Sequence, residues 1–289
     1  MNYVSLDDFV SHGAANIGPG PVGILLMEDL TETNSTIRHH QKLGFTNIIV
    51  LGPDSMEIAP ELREQIHIVT YQLFNSGATE NAINRMIEAF TERWIYYCYN
   101  GEYLFFPFCE SRSIREVITF AAEERRDSIL TYVIDLYATD LDENPNGVSV
   151  ENAHLDQSGY YSAARGDPKN NFYPKERQLD MFGGIRWRFE EHIPEERRRI
   201  DRIGIFKAKK GLVLLEGSVF NDEEYNTFAC PWHNNLTAAI CSFRTAKALR
   251  TNPGSAYEID NFYWYNSRKF EWHSQQLMDL GLMEPGQWF

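Results

Sequence analysis

The sequence predicts an α/β fold: a mixed, mostly parallel sheet flanked by helices, with a C-terminal helical and aromatic-rich elaboration. Three observations lead there. Short apolar runs alternate with amphipathic stretches from residue 22 to residue 137, the pattern of strands joined by crossover helices. The 289 residues are 43% hydrophobic and 24% charged, enough apolar content to bury a core. Aromatic residues gather near the C-terminus (Phe262, Tyr263, Trp264, Tyr265, Phe270, Trp272), where a packed segment is expected and not a free tail. No repeat, low-complexity segment or linker is visible, so one domain over residues 1–289 is expected.

Val22 to Met27 is an apolar run bounded by Gly and Pro before it and by Glu28-Asp29 after it, and it reads as the first strand. Thr31 to Leu43 reads as a helix closed by Gly44, which can adopt the left-handed conformation a helix end needs. Strands are expected at Asn47 to Leu51, Ile66 to Tyr71 and Trp94 to Tyr99. Between the last two, Thr79 to Phe90 sets Ile83, Met86, Ile87 and Phe90 on one helical face. Ser113 and Glu116 form a capping box that opens a helix to about Glu124, and Ile129 to Tyr137 is a long strand. Asp140 to Arg177 is polar and irregular, and reads as an excursion such as a lid or acceptor loop. Ile203 to Lys207 and Leu212 to Leu215 are expected to pair as a hairpin around Lys209-Lys210-Gly211. Asn235 to Leu249 reads as an amphipathic helix with Leu236, Ile240, Phe243 and Leu249 inward.

Charge excludes one class of function. With 27 basic against 41 acidic residues the formal charge is -14, so general binding to a nucleic-acid backbone is not expected. The densest basic patch, Glu196-Arg197-Arg198-Arg199, reads as a solvated helix face. Cys98, Cys109, Cys230 and Cys241 have no C-x-x-C spacing, which suits buried free thiols in a reducing cytoplasm and no zinc site. Residues 1–15 lack a basic leader region, and no apolar run approaches the ~20 residues that span a bilayer. The expectation is a cytoplasmic protein without a transmembrane segment, with room for peripheral contact at a membrane-bound acceptor.

Several short matches dissolve on inspection. Gly18-Pro19-Gly20-Pro21-Val22-Gly23 fits G-x-G-x-x-G literally but precedes a strand, with no helix N-terminus to cradle phosphate and two prolines that remove donors. Asp140-Leu141-Asp142-Glu143-Asn144 with Glu151 resembles a calcium loop, yet Pro145 stands where the turn requires Gly, so an acidic surface turn is expected. No G-x-S-x-G elbow is present. Cys230-Pro231-Trp232-His233 puts a thiol near an imidazole in sequence, which leaves a hydrolase as a third reading. His39 and His40 point about 100° apart on a helix and do not chelate one metal; one packed and one exposed histidine are expected.

The stretch from Trp94 to Pro107 (W-I-Y-Y-C-Y-N-G-E-Y-L-F-F-P) resembles a segment of bacterial family 2 glycosyltransferases, in which an apolar strand ends in Asp-x-Asp-Glu-Phe. Here those positions are Tyr99, Asn100, Gly101, Glu102 and Tyr103, so both aspartates are replaced. The resemblance extends weakly through most of the chain. His39, His40 and Gly44 fit His-His-x-x-x-Gly; Glu28-Asp29 stands at an Asn-Glu; Ser35-Thr36 replaces Glu-Trp. Gly52-Pro53-Asp54-Ser55 stands where the second strand ends in Asp-Asn. Phe182-Gly183-Gly184 with Arg186, Arg188 and Phe189 resembles the family's Gly-Gly-x-x-x-Arg-x-Phe region, Lys207 precedes an apolar strand, and Ser242 replaces a His before Phe243-Arg244.

The resemblance implies a GT-A-like, Rossmann-like fold, with a nucleotide-binding half at about 20–137 and an acceptor half at about 138–289. It implies a hexosyltransferase: inverting transfer from a nucleotide-sugar donor to a glycan or lipid-linked acceptor. In the family the aspartates hold a divalent cation against the departing diphosphate. Glu102 beside Tyr99, Asn100 and Gly101 is a poor site for such a cation, so no cofactor is expected. Three outcomes stay open: Arg186, Arg188 and Arg244 replace the metal as phosphate clamps, a different donor is used, or catalysis is lost. For an active enzyme, Asp180 is the candidate base and Glu102 contacts the donor sugar or a weakly held metal. Glu28, Asp29, Asn100, Lys207 and His233 complete the implied substrate-binding set. The rival class is a non-catalytic binding or scaffold protein on the same fold, its partner surface formed by the aromatic tail and residues 230–235.

Overall fold

The computed structural model describes residues 1–230 and 232–288. In chain order the elements are β1 (Asn2–Tyr3), α1 (Leu6–Asp8), β2 (Val22–Leu26), α2 (Thr33–Lys42), β3 (Asn47–Gly52), α3 (Pro60–Arg63), β4 (His67–Thr70), α4 (Ala78–Ala89), β5 (Trp94–Tyr99), β6 (Glu102–Phe105) and α5 (Ile114–Glu123). Then follow β7 (Ser128–Asp135), β8 (Tyr137–Ala138), β9 (Ala153–Asp156), β10 (Tyr161–Asp167), β11 (Tyr173–Phe182), α6 (Gly184–Arg188), β12 (Asp201–Lys207), β13 (Leu214–Leu215) and β14 (Val219–Phe220). The chain closes with β15 (Ala238–Ser242), α7 (Arg244–Thr251), α8 (Pro253–Glu258), β16 (Ser267–Lys269) and α9 (Ser274–Asp279). The fold is mixed α/β with a mostly parallel sheet flanked by helices. Residues divide into two compact units, the first formed by Met1–Leu104, Ser111–Ile129 and Ile203–Asn226, the second by Phe105–Glu110, Leu130–Arg202 and the chain from Thr227 onward.

In the first unit, strands run in the order β1-β4-β3-β2-β5, all parallel, with β12 antiparallel beside β5. Every residue of β2 and β3 is buried, as continuous apolar runs require when a parallel sheet is covered on both faces. The expected elements appear within two residues of their predicted ends. Gly44 closes α2 at φ +93°, and the Ser113 N–H donates to Glu116 Oε2 at 2.7 Å, which completes the capping box of α5. From β2 the chain steps outward through β3 and β4, then crosses back to place β5 on the other side of β2. That reversal creates a crevice beyond the carboxyl ends of β2 and β5, where open α/β sheets bind ligands.

The second unit pairs β7 with β15 in parallel, Asp135 opposite Ser242, and contains an antiparallel β8-β9-β16 sheet and a β10-β11 hairpin. One of its cores gathers Tyr137, Leu141, Ile185, Ile193, Ala246, Leu249, Ile259 and Phe262.

Four expectations are corrected. Asn235 to Leu249 is not one helix: Ala238–Ser242 is strand β15, and the helix starts at Arg244. A five-residue apolar run suits a buried strand as well as a helix, and pairing with β7 decides. Ile203–Lys207 does not pair with Leu212–Leu215; it pairs with β5, while β13 pairs with β14. The segment 140–177 is not irregular throughout, since it contains β9, β10 and the start of β11. Neither histidine of His39-His40 is exposed, for reasons given below. The C-terminal tail is packed at Phe262 and Phe270 but leaves Tyr263 and Tyr265 exposed.

Smaller expectations hold. Asp140 Oδ1 accepts from the N–H groups of Asp142 and Glu143 in an acidic turn. Gly18 and Gly20 lead into β2, and their carbonyls accept from Arg93. Glu195–Arg197 is an exposed 3-10 turn, although Arg199 beyond it is drawn into an ionic network.

Candidate functional site

The crevice at the carboxyl ends of β2 and β5 brings together Glu28, Asp29, Asn100 and Glu102. Asn100, fully buried, stitches the two loops. Its Oδ1 accepts from the Glu28 N–H at 2.9 Å, and its Nδ2 donates to Asp29 Oδ1 at 2.7 Å and to the Thr31 carbonyl at 2.8 Å. Asp29 Oδ1 also accepts from the Thr31 N–H. Gly101 turns the chain at φ +70° and donates to Thr36 Oγ1, and Glu102 Oε2 accepts from the Tyr99 N–H at 2.8 Å.

This geometry shows what an acid at position 100, the middle residue of that motif, would do. A carboxylate at position 100 could accept from Glu28 but could not donate to Asp29 or to Thr31, and it would bury a second negative charge against Asp29. We expect Asn100→Asp to cost about 2–3 kcal/mol of stability at neutral pH, with part of the loss recovered as pH falls and one carboxylate protonates; urea titrations across pH measure this. Asn100 turns its NH₂ toward Asp29, and Glu102 Oε2 accepts from the Tyr99 N–H, so both side chains are engaged in holding their own loops.

Beside the crevice, α2 is held to the sheet by its histidines. His40 stacks on Tyr96 with ring centroids 5.1 Å apart, donates from Nδ1 to the Thr36 carbonyl at 2.8 Å and accepts at Nε2 from the Tyr96 hydroxyl at 3.1 Å. His39 Nε2 donates to the Leu104 carbonyl at 2.7 Å. Burial lowers both from the ordinary 6.5, His39 to about 4 and His40 to about 3, with the neighbouring ring adding to the shift of His40. Both are therefore neutral anchors. Lys207 lies at the other end of β5: it is in register with Trp94, not with Tyr99, and pairs with Glu92 at 2.9 Å. The structure does not bring it to the crevice.

The second unit holds the other residues singled out in the sequence, and two aspartates that were missed. Arg186 clamps Asp135, which ends β7: Nε lies 3.0 Å from Oδ2, and Thr245 Oγ1 donates to Oδ1 at 2.8 Å. Burial raises the Asp135 carboxyl, and Arg186 opposes that shift. Arg188 clamps Asp156 (Nε to Oδ2 2.9 Å) and sits over the rings of Trp264, Phe189 and Tyr137 at 4.7, 5.2 and 5.4 Å. Asp156 Oδ1 also accepts from the Tyr137 hydroxyl at 2.5 Å and Trp264 Nε1 at 2.8 Å. Asp180 accepts from Arg165 (2.8 Å) and Arg199 (3.1 Å), and both arginines also pair with Asp201. The Arg199 carbonyl accepts from Arg186, so the Arg186–Asp135 pair joins the network of Arg165, Asp180, Arg199 and Asp201. Arg186 and Arg188 thus each face a buried carboxylate with which any phosphate would compete.

His233 Nδ1 lies 3.2 Å from the Cys230 thiol; Pro231, between them, is outside the described residues. Arg244 opens α7, its N–H donating to Ser242 Oγ. Among the missed residues, Asp135 carried a readable signal: an acid inside the apolar run Tyr132-Val133-Ile134-Asp135-Leu136-Tyr137 is buried with a partner or not at all. Asp156 and Tyr160 lay in a stretch read as irregular, and nothing local marked them.

No protein-family model matches the chain, and no curated protein does. Among solved structures it is similar to a candidate glucose-1-phosphate thymidylyltransferase from Bacillus anthracis, crystallised in complex with a sucrose, at 8% identity over 83% of this chain and 79% of that one, with a TM-score of 0.30. A likeness of that size carries no weight on function. No helix among the described residues is long and apolar enough to cross a membrane.

Proposed function

We propose that the chain is a glycosyltransferase of the inverting, hexosyl-transferring kind. It would move a sugar from a nucleotide-sugar donor to a glycan or lipid-linked acceptor without a conventional Asp-x-Asp cation site. The observation that carries this reading is the placement of Glu28, Asp29 and Asn100 at the reversal between β2 and β5, where such sheets receive nucleotides. The likeness of residues 94–107 to family 2 enzymes adds to it. Carboxylates at a strand end suit ribose or base hydrogen-bond donors, which is the role assigned to Glu28 and Asp29. Glu102 is assigned to the donor-side turn, and Asp180 to the acceptor hydroxyl proton, taken as that oxygen attacks the anomeric carbon and the nucleoside diphosphate leaves. Fixed cations, with Arg244 the candidate, would stand in for the metal. A cytoplasmic location and peripheral contact with a membrane accompany a lipid-linked acceptor.

A second reading, a non-catalytic binding protein on this type of fold, is favoured by one specific observation: Asn100 and Glu102 hold their own loops together. Melting temperatures with UDP-, GDP-, CMP- and dTDP-sugars, each with and without Mn²⁺, separate the two. One donor at a hundred times its Kd should stabilise the fold by about 2.7 kcal/mol, independently of Mn²⁺. A shift that needs Mn²⁺ would overturn the metal-free assignment, and no shift with any donor would leave the binding-protein reading.

A further inference from the structure

We infer that the second unit contains a subsite for one hydroxyl group of a saccharide, beside Gly184, with Tyr160 as hydrogen-bond donor and Asp135 as acceptor. The Tyr160 hydroxyl is buried and has no hydrogen-bond partner. That is unusual for a phenol whose electrostatic neighbours include the carboxylates of Asp156 and Asp135, since buried polar groups are normally paired. Asp156 already accepts from Tyr137, Trp264 and Arg188. Asp135 accepts from Thr245 at one oxygen and from Arg186 at both.

Gly184 defines the space between donor and acceptor. The position its missing Cβ would take is 3.5 Å from the Tyr160 hydroxyl and 3.6 Å from Asp135 Oδ2. An oxygen lodged between the two groups, beyond that point, would reach both. A hydroxyl satisfies both, accepting from Tyr160 and donating to Asp135. A carbonyl could satisfy only Tyr160, an ammonium only Asp135, and an anion would meet the carboxylate. Burial and the two carboxylates hold the phenol protonated, so it is a donor at any physiological pH.

Two further features favour a sugar over a lone water. The space lies beyond the carboxyl ends of the parallel strands β7 and β15, the usual side for ligands. Gly183, buried and at φ +150°, brings the backbone so close to the Tyr160 ring that a Cβ would stand 2.3 Å from it, while Tyr160 itself, though its hydroxyl is buried, is partly exposed. An aromatic edge next to a donor and acceptor pair suits the apolar face and hydroxyls of a sugar ring. The inference rests on the transfer reading only in naming this saccharide the acceptor.

The test is titration of the full chain, with no donor present, by methyl glycosides of glucose, galactose, mannose and N-acetylglucosamine, followed by ligand-observed NMR. At least one should bind, and Tyr160→Phe should weaken it roughly tenfold while the melting temperature stays level or rises, because the variant removes an unpaired buried hydroxyl. Gly184→Ala, which fills the space, should also abolish binding, and Tyr160→Phe remains decisive if Gly184→Ala does not fold. Equal affinity in Tyr160→Phe, or no binding of any glycoside to the wild-type chain, would overturn the subsite and leave a buried water there. Glycoside binding with no response to any nucleotide sugar would sink the transferase reading alone.

Discussion

Arg188→Ala is expected to destabilise the fold by about 3–5 kcal/mol, on the order of 10 °C in melting temperature. The two side chains of the Arg188–Asp156 pair are only 10% and 1% exposed, so removing the guanidinium leaves a carboxylate in the interior with no cation beside it. Tyr137 and Trp264 would still donate to Asp156, but the neutralising charge is gone, and so are the contacts with three aromatic rings. The double variant Asp156→Asn with Arg188→Met should recover much of the loss, because the cost lies in the uncompensated charge and not in the absence of an ion pair. Equal instability of the single and double variants, read from urea titrations, would contradict that account and place the stability in packing around the guanidinium. A surface pair such as Arg38–Glu61 supplies the contrast: its loss should be barely measurable.

Acid should destabilise the first unit through its histidines before any carboxylate matters. His40 protonates near 6.5 when the chain is unfolded but near 3 in the fold, and His39 near 4. The unfolded state therefore binds more protons across that range, and stability present in full above about pH 6.5 is lost as pH falls toward 3. Between pH 7 and pH 4, His40 alone accounts for on the order of 3 kcal/mol, with His39 adding a contribution of similar size. The structural cause is plain: a charged imidazole at position 40 would stack on Tyr96 in a dry environment, with the neutral Thr36 carbonyl and Tyr96 hydroxyl as its hydrogen-bond partners. His40→Phe keeps a ring against Tyr96 and should remove about half of the pH dependence between 6.5 and 4, measured as the unfolding midpoint in urea at each pH. An unchanged slope would show that His40 is accessible to protons in the folded protein.

The same two histidines show where reading the sequence stops. Their positions on a helix, and the helix end at Gly44, followed from local pattern. That neither is exposed depends on Leu104 and Tyr96, which are more than fifty residues away. Likewise Asn100 was recognisable as the middle residue of a motif whose two aspartates are replaced by Tyr99 and Gly101. Its role as a clamp between two loops depends on β5 crossing back to lie beside β2, which only the strand order reveals.

What the sequence by itself determined is the part governed by local rules: apolar runs for β2, β3 and β5, the amphipathic face of α4 and the capping box of α5. What only the tertiary structure decided is everything that depends on partners distant in the chain. The run 238–242 became a strand because β7 offered it a parallel edge. The strand at 201–207 left its expected hairpin because β5 lay open beside it. Arg186 and Arg188, read from the sequence as phosphate clamps, met the carboxylates of Asp135 and Asp156. The reason is the same in each case: a buried polar or charged group must find a partner wherever the fold supplies one, and sequence spacing carries no record of which distant residue that will be.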